Sequence, residues 1–350
     1  MRIIHVTDCY LPRLGGIELH VRDLAARQRA QGHEVTVVTS TPGESAPGLW
    51  RAAPGDAWLR SLCPDVVQAH VSIISPFALG SARRASRAGV PTVATVHSLW
   101  THVGPLPELA CELWGMRRWP VTWAAVSDRA ATPVRALLDV PVHVVPNAVD
   151  LDEWIPAPEQ PHPGPPHVVS VMRLTGVKRA LPLLDILRGA AARTDFSATV
   201  IGDGPQRAAM ERHLRRHRLG DRVRLTGTLD RAAIRRELAT ASVFLAPAHR
   251  ESFGIAALEA RASGVPVLAS AHSGVGTFIR HGREGLLARD DHDLAAQLVR
   301  LLVDHDLRDR LAAHNRRVRP AFGWPEALAR HEELYAAARV TAASTEALAG

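Results

Sequence analysis

Two carboxylates, Glu251 and Glu259, stand with seven residues between them, and Ser252-Phe253-Gly254-Ile255 opens what reads as a helix between the two. An apolar run, Ala241-Ser242-Val243-Phe244-Leu245-Ala246, precedes them and is stopped by Pro247. After them Gly264-Val265-Pro266 breaks the helix and Val267-Leu268-Ala269 restarts a strand. This puts Glu251 in a strand-to-helix loop and Glu259 about two turns into the helix. A loop that feeds a helix N-terminus offers backbone N–H groups and the positive end of the helix dipole, which together seat a diphosphate. The flanking carboxylates can accept hydrogen bonds from hydroxyls on either side of it. Two glutamates at this spacing, taken alone, are more often the solvated face of a helix.

Further residues of the right type follow other strands. Arg173 and Lys178 lie just after Val168–Val171, in Arg-Leu-Thr-Gly-Val-Lys-Arg. Lys178 is the single lysine among 42 Lys and Arg residues. Charge that builds on a departing diphosphate must be neutralised, and two fixed cations can do this in place of a divalent metal. The expectation is therefore no metal site and no cofactor. Gly15-Gly16 follows the first strand and lets backbone approach a ligand closely. It is not the Gly-x-Gly-x-x-Gly fingerprint, which counts against a nicotinamide enzyme. His97 closes the strand that starts at Thr92, at the edge where ligands bind, and is a candidate by that place; His70, ending Gln68-Ala69-His70, is a weaker candidate for the acceptor side. The turn Gly202-Asp203-Gly204-Pro205 opens a helix near Gln206, with Gly204 suited to close packing beside a ligand. Asn147 and Asp150 read as hinge or structural residues.

These positions need strand ends to hold them, and the chain supplies strands. Short β-branched runs at Arg2–Thr7, Glu34–Thr39, Val66–Ala69, Thr92–Thr95, Trp123–Val126 and Val142–Val145 alternate with helical stretches such as Ile17–Gln31. A second series runs through Val168–Val171, Ser197–Ile201, Val223–Thr226, Val243–Ala246 and Val267–Ala269. Alternation of this kind predicts two α/β, doubly wound parallel sheets, whose ligands bind beyond the carboxyl ends of the strands. Six prolines within residues 154–166 rule out helix or central strand there and predict a stiff connector. The expected organisation is a first domain over 1–153, the connector at 154–166, a second domain over 167–322, and a helix over 323–340 that crosses back to the first domain.

With 350 residues, 46% hydrophobic and 22% charged, the chain can bury a core in each domain. Its net charge of +7 suits anionic partners such as nucleotides or anionic lipid, and nothing beyond that charge favours nucleic acid. Three scattered cysteines, Cys9, Cys63 and Cys111, make neither a disulfide framework nor a metal cluster. No run of 18 apolar residues and no leader-like start is present, so the expected location is cytoplasmic. Trp100, Trp114, Trp119 and Trp123 beside Arg117 and Arg118 fit either a domain core or contact with a membrane surface.

The cassette from Glu251 to Ser270 resembles the donor site of retaining glycosyltransferases of family 4, which have the GT-B fold: two facing Rossmann-like domains with an interdomain cleft. The Phe-Gly between the glutamates and the Glu-Ala…Ala-x-Gly-x-Pro-Val tail occur with them in order. The resemblance runs from the Gly15-Gly16 loop to the last helix and implies roles. Arg173 and Lys178 would grip the diphosphate of a UDP- or GDP-sugar, Glu251 would contact the sugar, and Glu259 the ribose. His97 would lie near the reacting sugar, and Gly15 and Gly16 near the phosphates. A retaining transfer of a hexose to an acceptor hydroxyl follows, without a metal. One departure is Thr277 in Ser273-Gly274-Val275-Gly276-Thr277, where relatives often carry an acid. Two other readings share the fold, a nucleotide-sugar 2-epimerase and a catalytically silent nucleotide-sugar binding subunit. The sequence leaves the acceptor (small molecule, glycan or lipid-linked), the sugar and the oligomeric state open.

Overall fold

The computed structural model describes residues 1–13, 15–52, 55, 57–101, 106–157 and 164–349. Residues 158–163 of the expected proline connector therefore lie outside the described residues. The chain divides into two compact units, Met1–Ala148 with Trp324–Gly350, and Val149–Gly323.

In the first unit the strands are β1 Arg2–Thr7, β2 Glu34–Thr39, β3 Leu49–Arg51, β4 Val66–Val71, β5 Thr92–Val96, β6 Thr122–Ala125 and β7 Val142–Val144. Its helices are α1 Gly16–Ala30, α2 Ala57–Leu62, α3 Pro76–Arg87, α4 Leu106–Trp114, α5 Asp128–Leu138 and, from the end of the chain, α12 Trp324–Ala349. The strands form one sheet in the order β3-β2-β1-β4-β5-β6-β7, with β1 parallel to both β2 and β4. A parallel sheet is covered on both faces, which is why β4 and β5 are buried at every position. One face packs beneath α1 and α12, where Ile3, Val66 and Val93 meet Val21, Leu334, Tyr335 and Ala338. Asp8, one residue past β1, accepts from the amides of Phe77 and Ala78 at 2.9 Å each and so caps α3 across the sheet.

The second unit contains β8 His167–Val171, β9 Ser197–Ile201, β10 Val223–Gly227, β11 Val243–Ala246, β12 Val267–Ser270 and β13 Gly285–Ala288. Its helices are α6 Ala180–Ala191, α7 Arg207–Arg216, α8 Arg231–Ala239, α9 Ile255–Ala262, α10 Asp291–Val303 and α11 His305–Arg317. The order β10-β9-β8-β11-β12-β13 is that of a doubly wound nucleotide-binding sheet.

Three expectations need adjustment. Residues 149–153, assigned to the first domain from sequence, group with the second unit. There the Val149 amide donates to the Phe322 carbonyl at 3.1 Å, and Arg319 donates to the Leu151 and Trp154 carbonyls. Two strands escaped the sequence reading, the three-residue β3 and the Gly-led β13. The helix between the two glutamates starts at Ile255, not at Ser252. Gly254 is left-handed, with φ of 95°, and caps the helix instead of joining it. Glu259 is thus little more than one turn into α9.

Candidate active site where β8 and β11 part

Strand order reverses between β8 and β11, so the loops leaving their carboxyl ends diverge and open a crevice. Ser170 Oγ donates to the Leu245 carbonyl at 2.7 Å and ties the two strands together beneath it. The loop after β8 carries Arg173, which is exposed, and Lys178. Leu174, fully buried, pins this loop, and its amide donates to the Asp203 carbonyl at 2.9 Å. Gly204 presses against the same turn: a Cβ there would sit 2.5 Å from the Leu174 carbonyl oxygen. Gly204 therefore supports the loop that presents Lys178.

The loop after β11 carries Glu251, and here the two loops meet. Lys178 Nζ donates to Glu251 Oε2 at 2.6 Å, with the side chains 33% and 21% exposed. The sequence assigned these residues to different parts of a donor; the structure puts them in direct contact. An ammonium has three donors, so the bond to Glu251 leaves further donor capacity for an anion.

Several contacts hold the Glu251 loop rigid. Phe253 is 1% exposed and its ring packs 5.2 Å from Phe278 and 5.9 Å from Phe322. The Gly274 amide donates to the Glu251 carbonyl at 2.7 Å. A Cβ on Gly274 would lie 2.0 Å from the Ser252 carbonyl oxygen, so Gly274→Ala must push this loop aside. We expect a loss of about 1–3 kcal/mol of stability, typical of overpacking, read as a lower denaturant midpoint; an unchanged midpoint would show that the contact relaxes freely.

Gly254 gives α9 no side-chain cap, and the first amides of a helix have no partners within it. Ile255 begins the helix and half-buried Glu259 follows along it. Arg261 anchors the helix from below, donating to the Phe278 carbonyl at 2.7 Å and lying 3.7 Å from fully buried Glu284. Burial would raise the Glu284 carboxyl. The hydrogen bonds from Arg280 and the charges of Arg261 and Arg280 outweigh it and bring the group to about 2. Thr277 is exposed in a short 3-10 turn, Gly274–Thr277.

Sequence reasoning missed His249, two residues before Glu251. Its Nδ1 lies 2.7 Å from Ser270 Oγ and its Nε2 3.5 Å from Asp291, which also pairs with Arg179. Burial and the Arg179 charge lower its pKa. Its place in the same strand-end loop as Glu251 was the available signal.

In the first unit, His97 directly follows β5, and its amide donates to the Val71 carbonyl at 2.8 Å. Its Nε2 is 3.0 Å from Nδ1 of His70. His70 is 2% exposed and its other nitrogen lies 2.9 Å from His5 Nδ1. Both ring nitrogens are engaged inside the protein, so His70 does not present itself to an acceptor as the sequence suggested. Gly15 precedes α1 in extended backbone, φ of −172°, and Gly16 is the first helical residue. Trp119 and Trp123 are buried and stack 6.4 Å apart, so these members of the tryptophan cluster are core residues. Trp114 and Trp119 border a recess of about 780 Å3 that Arg83, Arg87 and Arg118 also line, with Leu113 at its edge 73% exposed.

Comparison with known proteins agrees with this fold. The family model described as Glycosyltransferase Family 4 matches residues 14–153, and Glycosyl transferases group 1 matches residues 153–318. Glycogen synthase of Mycobacterium tuberculosis is 27% identical, over 97% of this chain and 95% of that protein. D-inositol 3-phosphate glycosyltransferase of Thermobispora bispora is 28% identical, over 91% of this chain and 81% of that protein. Among solved structures, sucrose-phosphate synthase from Thermosynechococcus elongatus matches with a TM-score of 0.78 at 20% identity, covering 95% of this chain and 98% of that one. Anabaena Alr3699/HepE, solved in complex with UDP and glucose, also matches at 0.78, with 18% identity over 96% of this chain and 100% of that one. The fold is GT-B, and the chain belongs to the group 1, family 4 glycosyltransferases.

Proposed function

We propose that this glycosyltransferase moves a hexose from a UDP- or GDP-sugar to an acceptor hydroxyl with retention at the anomeric carbon, and without a metal ion or other cofactor. The observation that carries this reading is the Lys178–Glu251 pair, 2.6 Å apart where β8 and β11 diverge and next to the amino end of α9. The donor diphosphate takes a share of Lys178 and the helix amides, with Arg173 as the second cation. Glu251, released in part from Lys178, accepts from a sugar hydroxyl, and Glu259 accepts from the ribose. His97, in the first unit, is kept as the candidate for the reacting sugar on the family resemblance alone.

In the transfer, the bond from the anomeric carbon to the phosphate oxygen breaks, and the acceptor oxygen bonds that carbon on the same face. The acceptor proton passes to the leaving diphosphate. No carboxylate base is required, unlike the paired acids of glycoside hydrolysis. Incubation with UDP- and GDP-sugars, an acceptor panel and excess chelator tests this reading. The expected result is nucleoside diphosphate release with an unchanged anomeric configuration; an inverted product, or turnover abolished by the chelator, contradicts it.

We place the enzyme in the cytoplasm, touching membrane through the arginine- and tryptophan-lined recess. No helix of the described residues is long and apolar enough to cross a membrane. Arginines near tryptophan favour anionic headgroups. Co-sedimentation with vesicles containing phosphatidylserine, weakened by salt and absent with neutral vesicles, is the expected result. Equal recovery in the supernatant with both vesicle types would remove membrane contact from the account.

A further inference from the structure

A diagonal of polar side chains crosses the sheet of the first unit. It starts at His97, at the carboxyl edge of β5, where ligands of parallel sheets bind. His97 Nε2 lies 3.0 Å from His70 Nδ1, and His70 Nε2 lies 2.9 Å from His5 Nδ1. His5 Nε2 lies 2.6 Å from Gln28 Oε1 on α1. Gln28 Nε2 donates to the Tyr335 hydroxyl of α12 at 2.8 Å, and that hydroxyl donates to Gln68 Oε1 at 2.6 Å. Gln68 Nε2 then donates to Thr95 Oγ1 at 3.0 Å. His5, Gln28, Gln68, His70, Thr95, His97 and Tyr335 are all buried. Buried polar groups destabilise a core unless each finds a partner, and here the partners form one continuous chain.

The direction of the chain fixes every tautomer in it. Because the Gln28 amide nitrogen faces Tyr335, its oxygen faces His5 and can only accept, so His5 Nε2 carries the proton. His5 Nδ1 is then an acceptor, which requires a proton on His70 Nε2. His70 Nδ1 accepts in turn, which requires a proton on His97 Nε2. In a neutral His97 ring, Nδ1 is then the acceptor nitrogen.

We propose that this chain is a tautomer lock, in which His5, His70, Gln28 and Tyr335 act as positioning residues that hold His97 neutral, with Nε2 protonated and Nδ1 an acceptor. Tyr335 is the anchor. Its hydroxyl gives its proton to Gln68 Oε1 and so accepts from the Gln28 amide nitrogen, which turns the Gln28 oxygen to His5 and ties α12, from the end of the chain, into the histidine chain. Use of the His97 acceptor nitrogen by a donor-sugar hydroxyl rests on the transferase reading above; the lock itself does not.

The test is long-range 1H–15N spectroscopy of the full chain labelled at histidine nitrogen, at pH 7. The wild-type protein should show pyrrole-type Nε2 and pyridine-type Nδ1 for His5, His70 and His97. Tyr335→Phe frees the Gln28 amide to turn, so the His97 signals should move toward averaged nitrogens, and donor turnover should fall on the order of tenfold, as when an outer partner of a ligating histidine is lost. Gln28→Met removes the same anchor from the other side and is the second variant, should the first fold poorly. A wild-type His97 protonated at Nδ1, or doubly protonated, would overturn the lock. So would His97 signals unmoved in both variants. Expected spectra in a protein with no transferase activity would refute the reaction and support the lock.

Discussion

Lys178→Ala is expected to lower kcat by about 10²–10³-fold, equivalent to about 3–4 kcal/mol of lost transition-state stabilisation, the effect of deleting one positioned donor at a developing negative charge. Stability should barely change. A part-exposed ion pair such as Lys178–Glu251 contributes about 0–1 kcal/mol. The two magnitudes separate the explanations, since a variant that melts like the wild type and turns over a hundredfold more slowly has lost chemistry and not structure. Lys178→Arg should recover little, because a planar guanidinium does not reproduce the compact ammonium that meets Glu251. An unchanged turnover rate in Lys178→Ala removes Lys178 from the mechanism.

Acid should unfold the first unit well before ordinary carboxylate titration begins. Burial lowers His5 and His97 to about 3 and His331 to about 4, and holds His20 and His70 well below their ordinary value. Each has its ordinary value near 6.5 when unfolded, so below that pH the unfolded chain binds more protons than the folded one. Stability is then complete above about 6.5 and falls with pH from there toward 3–4. At pH 5 the three groups with values near 3–4 each remove about 2 kcal/mol, about 6 kcal/mol together, against a domain stability of about 5–15 kcal/mol. The opposite sign holds for Glu284 in the second unit, whose lowered carboxyl keeps its contribution until the pH falls below about 4.5 toward 2. Seven of the eight tryptophans lie in the first unit, with Trp154 the exception. Tryptophan emission therefore reports mainly that unit. Its melting temperature should drop by at least about 10 °C between pH 7.5 and pH 5. A flat profile over that range would mean that the histidines are hydrated or protonated in the native state.

Sequence and structure part company at identifiable places. Strand existence was legible because buried parallel strands such as β1, β2, β9 and β11 are short β-branched or apolar runs bounded by turns. The edge strands were not, since β3 has three residues and β13 begins with glycine. Glu251 and Lys178 stood out by type and setting, yet their pairing spans 73 residues and depends on which strands are neighbours. Helix α9 was read one turn too early because the Gly254 cap is a backbone conformation that no apolar spacing reveals. The histidine chain left a faint sign, polar residues at alternate positions of β4, Gln68 and His70, in a strand otherwise made of Val and Ala. What completes the chain, Gln28 and Tyr335, lies 307 residues apart and is visible only once α12 is placed on the first unit.

The most direct test of the donor site is a diffraction structure of the protein with UDP or GDP bound. The diphosphate should lie within hydrogen-bonding distance of Lys178 Nζ and of the first amides of α9, with Arg173 turned toward it. A nucleotide seated elsewhere, with Lys178 still closed on Glu251 and Arg173 in solvent, would contradict the account.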